Sequence, residues 1–136
     1  MALKLEWEFR YAGRPVIPIR LTFWQTGKRL DTEAMLDTGA EKTFVDSAIA
    51  LALGIDLTSC AQLAVVGLSG PAKPTPAMEL DVLVLPGTAA PAVTLQVGFV
   101  ENLAMTVGNI LGRDFLAFFD LGLSHSVRTA YIGRAR

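Results

Sequence analysis

The residues best suited to chemistry in this sequence are Asp37, Thr38 and Gly39, which follow the apolar residues 34–36. A carboxylate at the end of an apolar strand is costly to bury unless it is hydrogen-bonded, paired or protonated, so Asp37 is a candidate catalytic group. The alternative is an ordinary turn, because Asp and Gly are common turn residues. The Asp-Thr-Gly tripeptide occurs once, and in the similar residues 31–33 a glutamate replaces the glycine.

A second motif favours the catalytic interpretation of Asp37. It is an apolar strand that meets a glycine and then a short helix, and it comprises Asn109, Ile110, Leu111, Gly112, Arg113 and Asp114. Neither motif would be sufficient without the other.

Composition limits the classes to which the protein can belong. Its 136 residues suit one domain over residues 1–136, and 51% are hydrophobic, so either the core is large or a partner covers apolar surface. A net charge of −1 lacks the basic excess of nucleic-acid-binding proteins. No stretch approaches the roughly 18 apolar residues of a membrane span, and residues 1–20 lack the apolar core of a signal peptide. We therefore expect a cytoplasmic protein or a soluble domain of a longer one.

Residues that commonly build metal or disulfide sites are scarce. Cys60 is the only cysteine and His125 the only histidine. This argues against an internal disulfide, a cysteine metal cluster and a histidine metal site. We expect no metal and no cofactor.

Short strands separated by turn residues predict an all-β, barrel-like fold. The predicted strands cover residues 16–23, 30–36, 42–46, 62–66, 78–85, 93–97 and 126–132, and the last is expected to close the sheet. The best helix candidate spans residues 47–53, with Ser47 as its N-cap and Gly54 at its end. A second short helix is expected over residues 113–119.

The two motifs together resemble the paired signatures of retropepsin-like aspartic proteases, the single-lobe relatives of retroviral proteases that include cellular and bacterial members. The resemblance covers residues 15–132. It implies an all-β acid-protease barrel of one lobe, with one or two short helices and a flap hairpin, that is active as a homodimer. The residues after Phe115 extend beyond the compact viral pattern and look more like the cellular and bacterial branch.

The resemblance also implies a mechanism in which two close carboxylates share one proton and one water molecule. Like charges at that distance cannot both ionise easily, so the pair titrates in two separated steps. The ionised carboxylate acts as general base toward the water, and the protonated one donates to the scissile carbonyl. The family does not use Asp114 as a catalyst. The simplest source of the second carboxylate is therefore Asp37 of an identical chain, related by a twofold axis.

Five further residues of the catalytic loop carry roles by the same resemblance. Thr38 resembles the residue whose hydroxyl reaches across the twofold axis to brace the two loops, and Gly39 gives the backbone access to the carboxylate and substrate. Ala40 and Glu41 would flank the bound peptide. Arg113 resembles the arginine that anchors the loop after the catalytic turn, and its expected acidic partner is Glu41.

A flap that closes over the substrate and excludes water is also implied. Its tip would span residues 67–70, and the prolines at positions 71, 74 and 76 stiffen the chain after it and mark a sheet edge. The flap and substrate-binding residues implied are Val66, Gly67, Leu68, Ser69, Gly70 and Ile110, and Leu85 is a further candidate for the cleft wall.

The resulting hypothesis is a homodimeric aspartic endopeptidase that cuts extended, apolar-rich peptides without a metal, cofactor or covalent intermediate. Its partners are a second copy of the chain and a polypeptide substrate, with no nucleic acid and no membrane segment. The alternative is a catalytically silent module of the same fold that dimerises or binds peptides by strand addition. The domain could also belong to a larger chain whose neighbouring segments drive dimerisation.

Overall fold

Strands dominate the computed structural model, which describes residues 6–65, 73–85 and 92–134. In those ranges the strands are β1 (Trp7–Arg10), β2 (Val16–Phe23), β3 (Lys28–Leu36), β4 (Phe44–Asp46), β5 (Ala61–Val65), β6 (Lys73–Val84), β7 (Val93–Val100), β8 (Ile110–Leu111), β9 (Phe119–Ser124) and β10 (Thr129–Arg134). Two short helices accompany them, α1 (Ser47–Ala52) and α2 (Arg113–Leu116), together with single 3₁₀ turns at Leu57–Ser59 and Leu103–Met105. The prediction of an all-β fold with one or two short helices is confirmed.

Six strands form a closed ring, which explains the barrel-like pattern in the sequence. The order is β2-β3-β8-β4-β7-β6, and β6 pairs back onto β2 from Ile19 opposite Val84 to Thr22 opposite Asp81. Alternate residues of β2 point into the ring, so Ile17, Ile19 and Leu21 are fully buried.

β5 lies outside the ring and pairs with β6. Pro74 and Pro76 stand in the first part of β6, where β5 provides the strand pairing among the described residues. This part of β6 is a sheet edge, where proline is tolerated although it lacks a backbone N–H. Pro74 and Pro76 therefore lie at an edge, as the sequence predicts. Pro71 and the five flap residues 66–70 lie outside the described residues.

A separate three-stranded sheet, in the order β1-β10-β9, lies beside the ring. The expectation that the last strand closes the main sheet is therefore wrong, because β10 pairs with β1 and β9 instead. The second helix is also shorter than predicted. It ends at Leu116, and the buried Phe119 begins β9 with its ring 4.8 Å from that of Phe115, centroid to centroid.

Helix α1 begins at Ser47, the residue that the sequence predicted as its N-cap. Asp46, not Ser47, is the N-cap, and its carboxylate accepts a hydrogen bond from the N–H of Ala48 at 2.9 Å. The predicted end is confirmed, since Gly54 follows the C-cap with a φ of +74°, which glycine adopts without strain. Among the described residues, no helix is long and apolar enough to span a membrane.

Candidate active site

The fold brings the two sequence motifs side by side. β3 and β8 run parallel, with Met35 opposite Ile110 and Leu36 opposite Leu111. The ladder continues one step past β3, where the Asp37 N–H donates to the Leu111 carbonyl at 3.0 Å. The backbone of Asp37 is thus fixed by the second motif, as the pairing of the two signatures predicts.

The carboxylate of Asp37 is held on one side. Its Oδ1 accepts a hydrogen bond from the N–H of Gly39 at 2.9 Å, and the Ala40 N–H donates to the Asp37 carbonyl at 3.2 Å, which closes a tight turn. A Cβ at position 39 would lie 3.2 Å from Oδ1, so glycine gives the carboxylate room. Asp37 is half-buried, and no donor from the described part of the chain reaches its other oxygen. That oxygen is therefore available to an external group.

Arg113 braces the catalytic loop at two points. Its side chain donates to the Thr38 carbonyl at 3.2 Å, and its backbone N–H donates to the Ala40 carbonyl at 2.8 Å. The expected ion pair between Arg113 and Glu41 is not formed. Glu41 is exposed, and its link to the second motif runs through its carbonyl, which accepts from the Asp114 N–H at 3.3 Å. The loop-anchoring geometry is present, but a carbonyl replaces the carboxylate as the partner of the guanidinium.

Beneath the loop, Thr43 and Asp114 form a polar network that the sequence reasoning missed. The fully buried Thr43 hydroxyl donates to Asp114 Oδ1 at 2.7 Å and accepts from the Gly112 N–H at 3.1 Å. The Thr43 N–H donates to Asp114 Oδ2 at 3.2 Å. The available signal was a threonine directly before the apolar Phe44 and Val45, since its hydroxyl needs partners once it is buried.

Gly112 marks the point where the two motifs cross. A Cβ on this residue would lie 2.3 Å from the carbonyl oxygen of Lys42, which is backbone and cannot swing away. No side chain larger than hydrogen fits, so the close contact between the catalytic loop and α2 requires glycine here.

Asn109 ties three further segments to the site. Its side-chain amide donates to the Glu33 carbonyl at 3.0 Å, and its Oδ1 accepts from the Asp46 N–H at 2.9 Å. Asp46 in turn accepts from the Ala104 N–H at 2.8 Å. The backbone N–H groups of Ala104, Ala48 and Leu103 lower the pKa of the Asp46 carboxyl.

A small cavity of about 190 Å³ adjoins this site on β3. Its lining includes Met35, two residues before Asp37, together with Val16, Ala104 and Val107. Of the predicted cleft walls, Ile110 is half-buried opposite Met35, and Leu85 is half-buried beside β2, where its N–H donates to the Pro18 carbonyl at 3.1 Å. Val66, Gly67, Leu68, Ser69 and Gly70 lie outside the described residues.

The fold is that of the retropepsin-like proteases. The structure is similar to the crystal structure of a retropepsin-like aspartic protease from Rickettsia conorii, with a TM-score of 0.59 and 18% sequence identity over 97% of this chain and 95% of that chain. The family model described as aspartyl protease matches residues 23–115, so the chain belongs to the aspartyl protease family. A comparison with curated proteins finds no significant match. The resemblance drawn from the two motifs is confirmed.

Proposed function

We propose that this chain is one half of an aspartic endopeptidase, in which Asp37 faces Asp37 of a second copy across a twofold axis. The observation that carries the proposal is the carboxylate of Asp37, which is fixed on one oxygen by the Gly39 N–H and is open on the other. This sequence has a single Asp-Thr-Gly, so a dyad needs a second copy of the motif, and the simplest source of it is an identical chain. Family and fold both support aspartic protease activity.

In the proposed reaction the dyad holds one proton and one water molecule between its two carboxylates. The ionised Asp37 takes a proton from the water, and the protonated Asp37 donates to the carbonyl oxygen of the scissile peptide bond. The water oxygen bonds to the carbonyl carbon to give a tetrahedral intermediate. The carbon–nitrogen bond then breaks, the nitrogen takes the proton that the base removed from the water, and a hydroxyl of the intermediate returns a proton to the other carboxylate, which restores the dyad. Thr38 braces the paired loops, and the Gly39 N–H keeps each carboxylate oriented.

The proposed substrate is an extended peptide with apolar residues near the cut. Met35, Val16 and Val107 around the small cavity, with Ile110 beside it, offer apolar contacts next to Asp37. Ala40 and Glu41 would flank the peptide on the loop. Val66, Leu68 and the rest of the flap residues, with Leu85, would cover it from the other side.

A subunit-mixing experiment tests the shared site. Wild-type protein is held at a fixed concentration, the Asp37→Asn variant is added in increasing excess, and cleavage of a peptide library is followed by mass spectrometry. A dyad built from two chains predicts that activity falls toward zero, because wild-type subunits are drawn into inactive mixed dimers. Asp31→Asn, which alters the other Asp-Thr pair, serves as the matched control and should leave activity unchanged when mixed.

Activity that persists in full excess of Asp37→Asn would contradict the shared dyad. Sedimentation over a concentration series checks the dimer directly. Peptide binding by the wild type without any cleavage would instead support the catalytically silent module.

A further inference from the structure

Two neighbouring cavities form a groove along the face of β3, the strand that ends directly before Asp37. The smaller, of about 190 Å³, contains Met35 and Val107, and the larger, of about 400 Å³, lies toward the loop between β1 and β2. Both are lined by Arg14, Val16 and Glu33, so they adjoin each other.

The residue spacing along β3 gives the distance between the groove and Asp37. Side chains on a strand alternate between faces, so Glu33, Met35 and Asp37 project to the same side. Each two-residue step covers roughly 6.8 Å, which places the smaller cavity about 7 Å and Glu33 about 14 Å from Asp37 along β3. An extended peptide covers about 3.3 Å per residue, so Glu33 lies about four substrate residues from the cut.

The larger cavity carries an excess of positive charge. Arg10 and Arg14 line it against the single carboxylate of Glu33. In the described part of the chain, the ion pairs are Arg20 with Asp31 and Arg134 with Glu6, so neither Arg10 nor Arg14 is neutralised by one. The Arg14 side chain donates to the Val107 carbonyl at 2.8 Å, which places it at the junction of the two cavities.

The loop that forms the outer wall is held in place by contacts to the turn between β9 and β10. The hydroxyl of Tyr11 lies 3.3 Å from Nδ1 of His125, and the two rings stack with centroids 6.3 Å apart. The Arg128 side chain donates to the Ala12 carbonyl at 2.9 Å. Because these contacts fix the wall before a ligand arrives, little ordering entropy is lost on binding.

We infer that this groove binds the distal part of the substrate and selects an acidic side chain about four residues from the scissile bond, with Arg10 and Arg14 as the specificity-determining residues. The inference rests on the proposed protease function. The twofold axis of the proposed dimer would supply the same groove on both sides of the cut. An acidic residue is therefore favoured on either side, at about the same distance from the scissile bond.

Paired peptides that differ only in Glu or Gln at the fourth position from the cut test the inference. A partly exposed charge pair contributes little, so kcat/KM of the wild type should favour the Glu peptide by about 2–5-fold. Arg10→Gln should bring that ratio close to one, and Arg10→Glu should reverse it. The wild-type preference should act mainly on KM and should shrink at 1 M salt, where charges are screened within about 3 Å.

Arg29→Glu is the matched control, because Arg29 is exposed on β3 at the far end of the hairpin and does not line this groove. It should leave the Glu/Gln ratio unchanged. Cleavage of both peptides at equal rates by the wild type, or a preference that survives in Arg10→Glu, would overturn the inference while the protease function stands. Absence of cleavage of any peptide would overturn the proposed function and this inference with it.

Discussion

Asp31 and Asp37 both precede a threonine in the same arm of the β2–β3 hairpin, yet their carboxylates have different partners. Asp31 receives both its bonds from Arg20 across the hairpin, at 2.7 and 3.1 Å, and the guanidinium lowers the pKa of that carboxyl. Asp37 receives one bond, from a backbone N–H of its own turn, and its other oxygen is open to groups outside the described chain.

The difference shows what separates a structural carboxylate from a candidate catalyst. At Asp31 a mobile counter-charge satisfies the group, and the residue stays on the exposed face of a regular strand. Asp37 follows the end of β3, and Gly39 leaves room for its carboxylate. Arg113 donates hydrogen bonds to the carbonyls of Thr38 and Ala40 in the turn that follows. The identical dipeptide therefore does not by itself mark a candidate catalytic site; the glycine that follows and the pairing with the second motif distinguish Asp37 from Asp31.

The largest expected effect on cleavage is the difference between Asp37→Asn and Asp31→Asn, each of which removes one of the two carboxylates. Asp37→Asn keeps an oxygen that can accept from Gly39 but cannot act as a base, so cleavage should fall by about 10²–10⁴-fold. Asp31→Asn should change kcat/KM by less than about twofold, because exposed ion pairs contribute little. Peptide cleavage at matched protein concentration, with circular dichroism as the folding control, measures both. Equal losses of peptide cleavage in the two variants would contradict the distinction between a candidate catalytic Asp37 and a structural Asp31.

A methyl group at the crossing of the motifs should destabilise the catalytic region selectively. Gly112→Ala places its Cβ against the Lys42 carbonyl, so unfolding free energy should fall by about 3 kcal/mol. Gly13→Ala is the control, since nothing lies within 4 Å of a Cβ there, and it should change stability by less than about 0.5 kcal/mol. Urea denaturation reports both values. A Gly112→Ala protein as stable as the wild type would show that the motifs do not cross so closely.

Breaking the buried network of Thr43 and Asp114 should lower the free energy of unfolding by less than Gly112→Ala does. Thr43→Val keeps the shape but leaves Asp114 and the Gly112 N–H each short of a partner, at a cost of about 1–3 kcal/mol. Thr22→Val is the control, a half-buried β2 threonine for which the structure shows no side-chain hydrogen bond. Urea midpoints that shift equally in the two variants would contradict the network.

The smallest effect concerns the pH dependence of the Arg20–Asp31 pair. Because the pKa of Asp31 is lowered in the fold by its bond to Arg20, the pair stabilises the protein above the ordinary Asp pKa of about 3.9. This contribution is lost as the pH falls through the lowered value. The difference in thermal midpoint between wild type and Asp31→Asn should therefore vanish in acid and diminish with salt. A difference that grows in acid would reverse the assignment.

The alternation of apolar residues along the sequence predicted most strands of the six-stranded ring. The strand bounds of β2 match the sequence prediction because alternate residues are strictly apolar, and Gly54 marked the end of α1. β1 has only four residues and pairs with the distant β10, and β9 overlaps at its start the residues that were assigned to the second helix, so both strands were missed. Local signals cannot report such pairings, which tertiary context decides.

Within the candidate site, chemistry was easier to predict than partners. Asp37 stood out because a carboxylate beside an apolar strand is unusual, and the second motif strengthened its interpretation as a candidate catalytic group. The Arg113–Glu41 ion pair was wrong because opposite charge in the sequence does not fix side-chain direction, and a carbonyl of the turn was within reach. Ser47 and Asp46 are both good N-cap residues, and only the extended backbone at Asp46 decides between them.

The bond from the Asp37 N–H to the Leu111 carbonyl also bears on when the turn around Asp37 can form during folding. It joins residues far apart in the chain, so the entropy of closing a long loop is lost before the turn is fixed. We expect the turn around Asp37 to acquire its final shape late, after the ring of strands has closed. The carbonyl that fixes the turn is supplied by residue 111, so the turn cannot take its final shape before that residue has been synthesised.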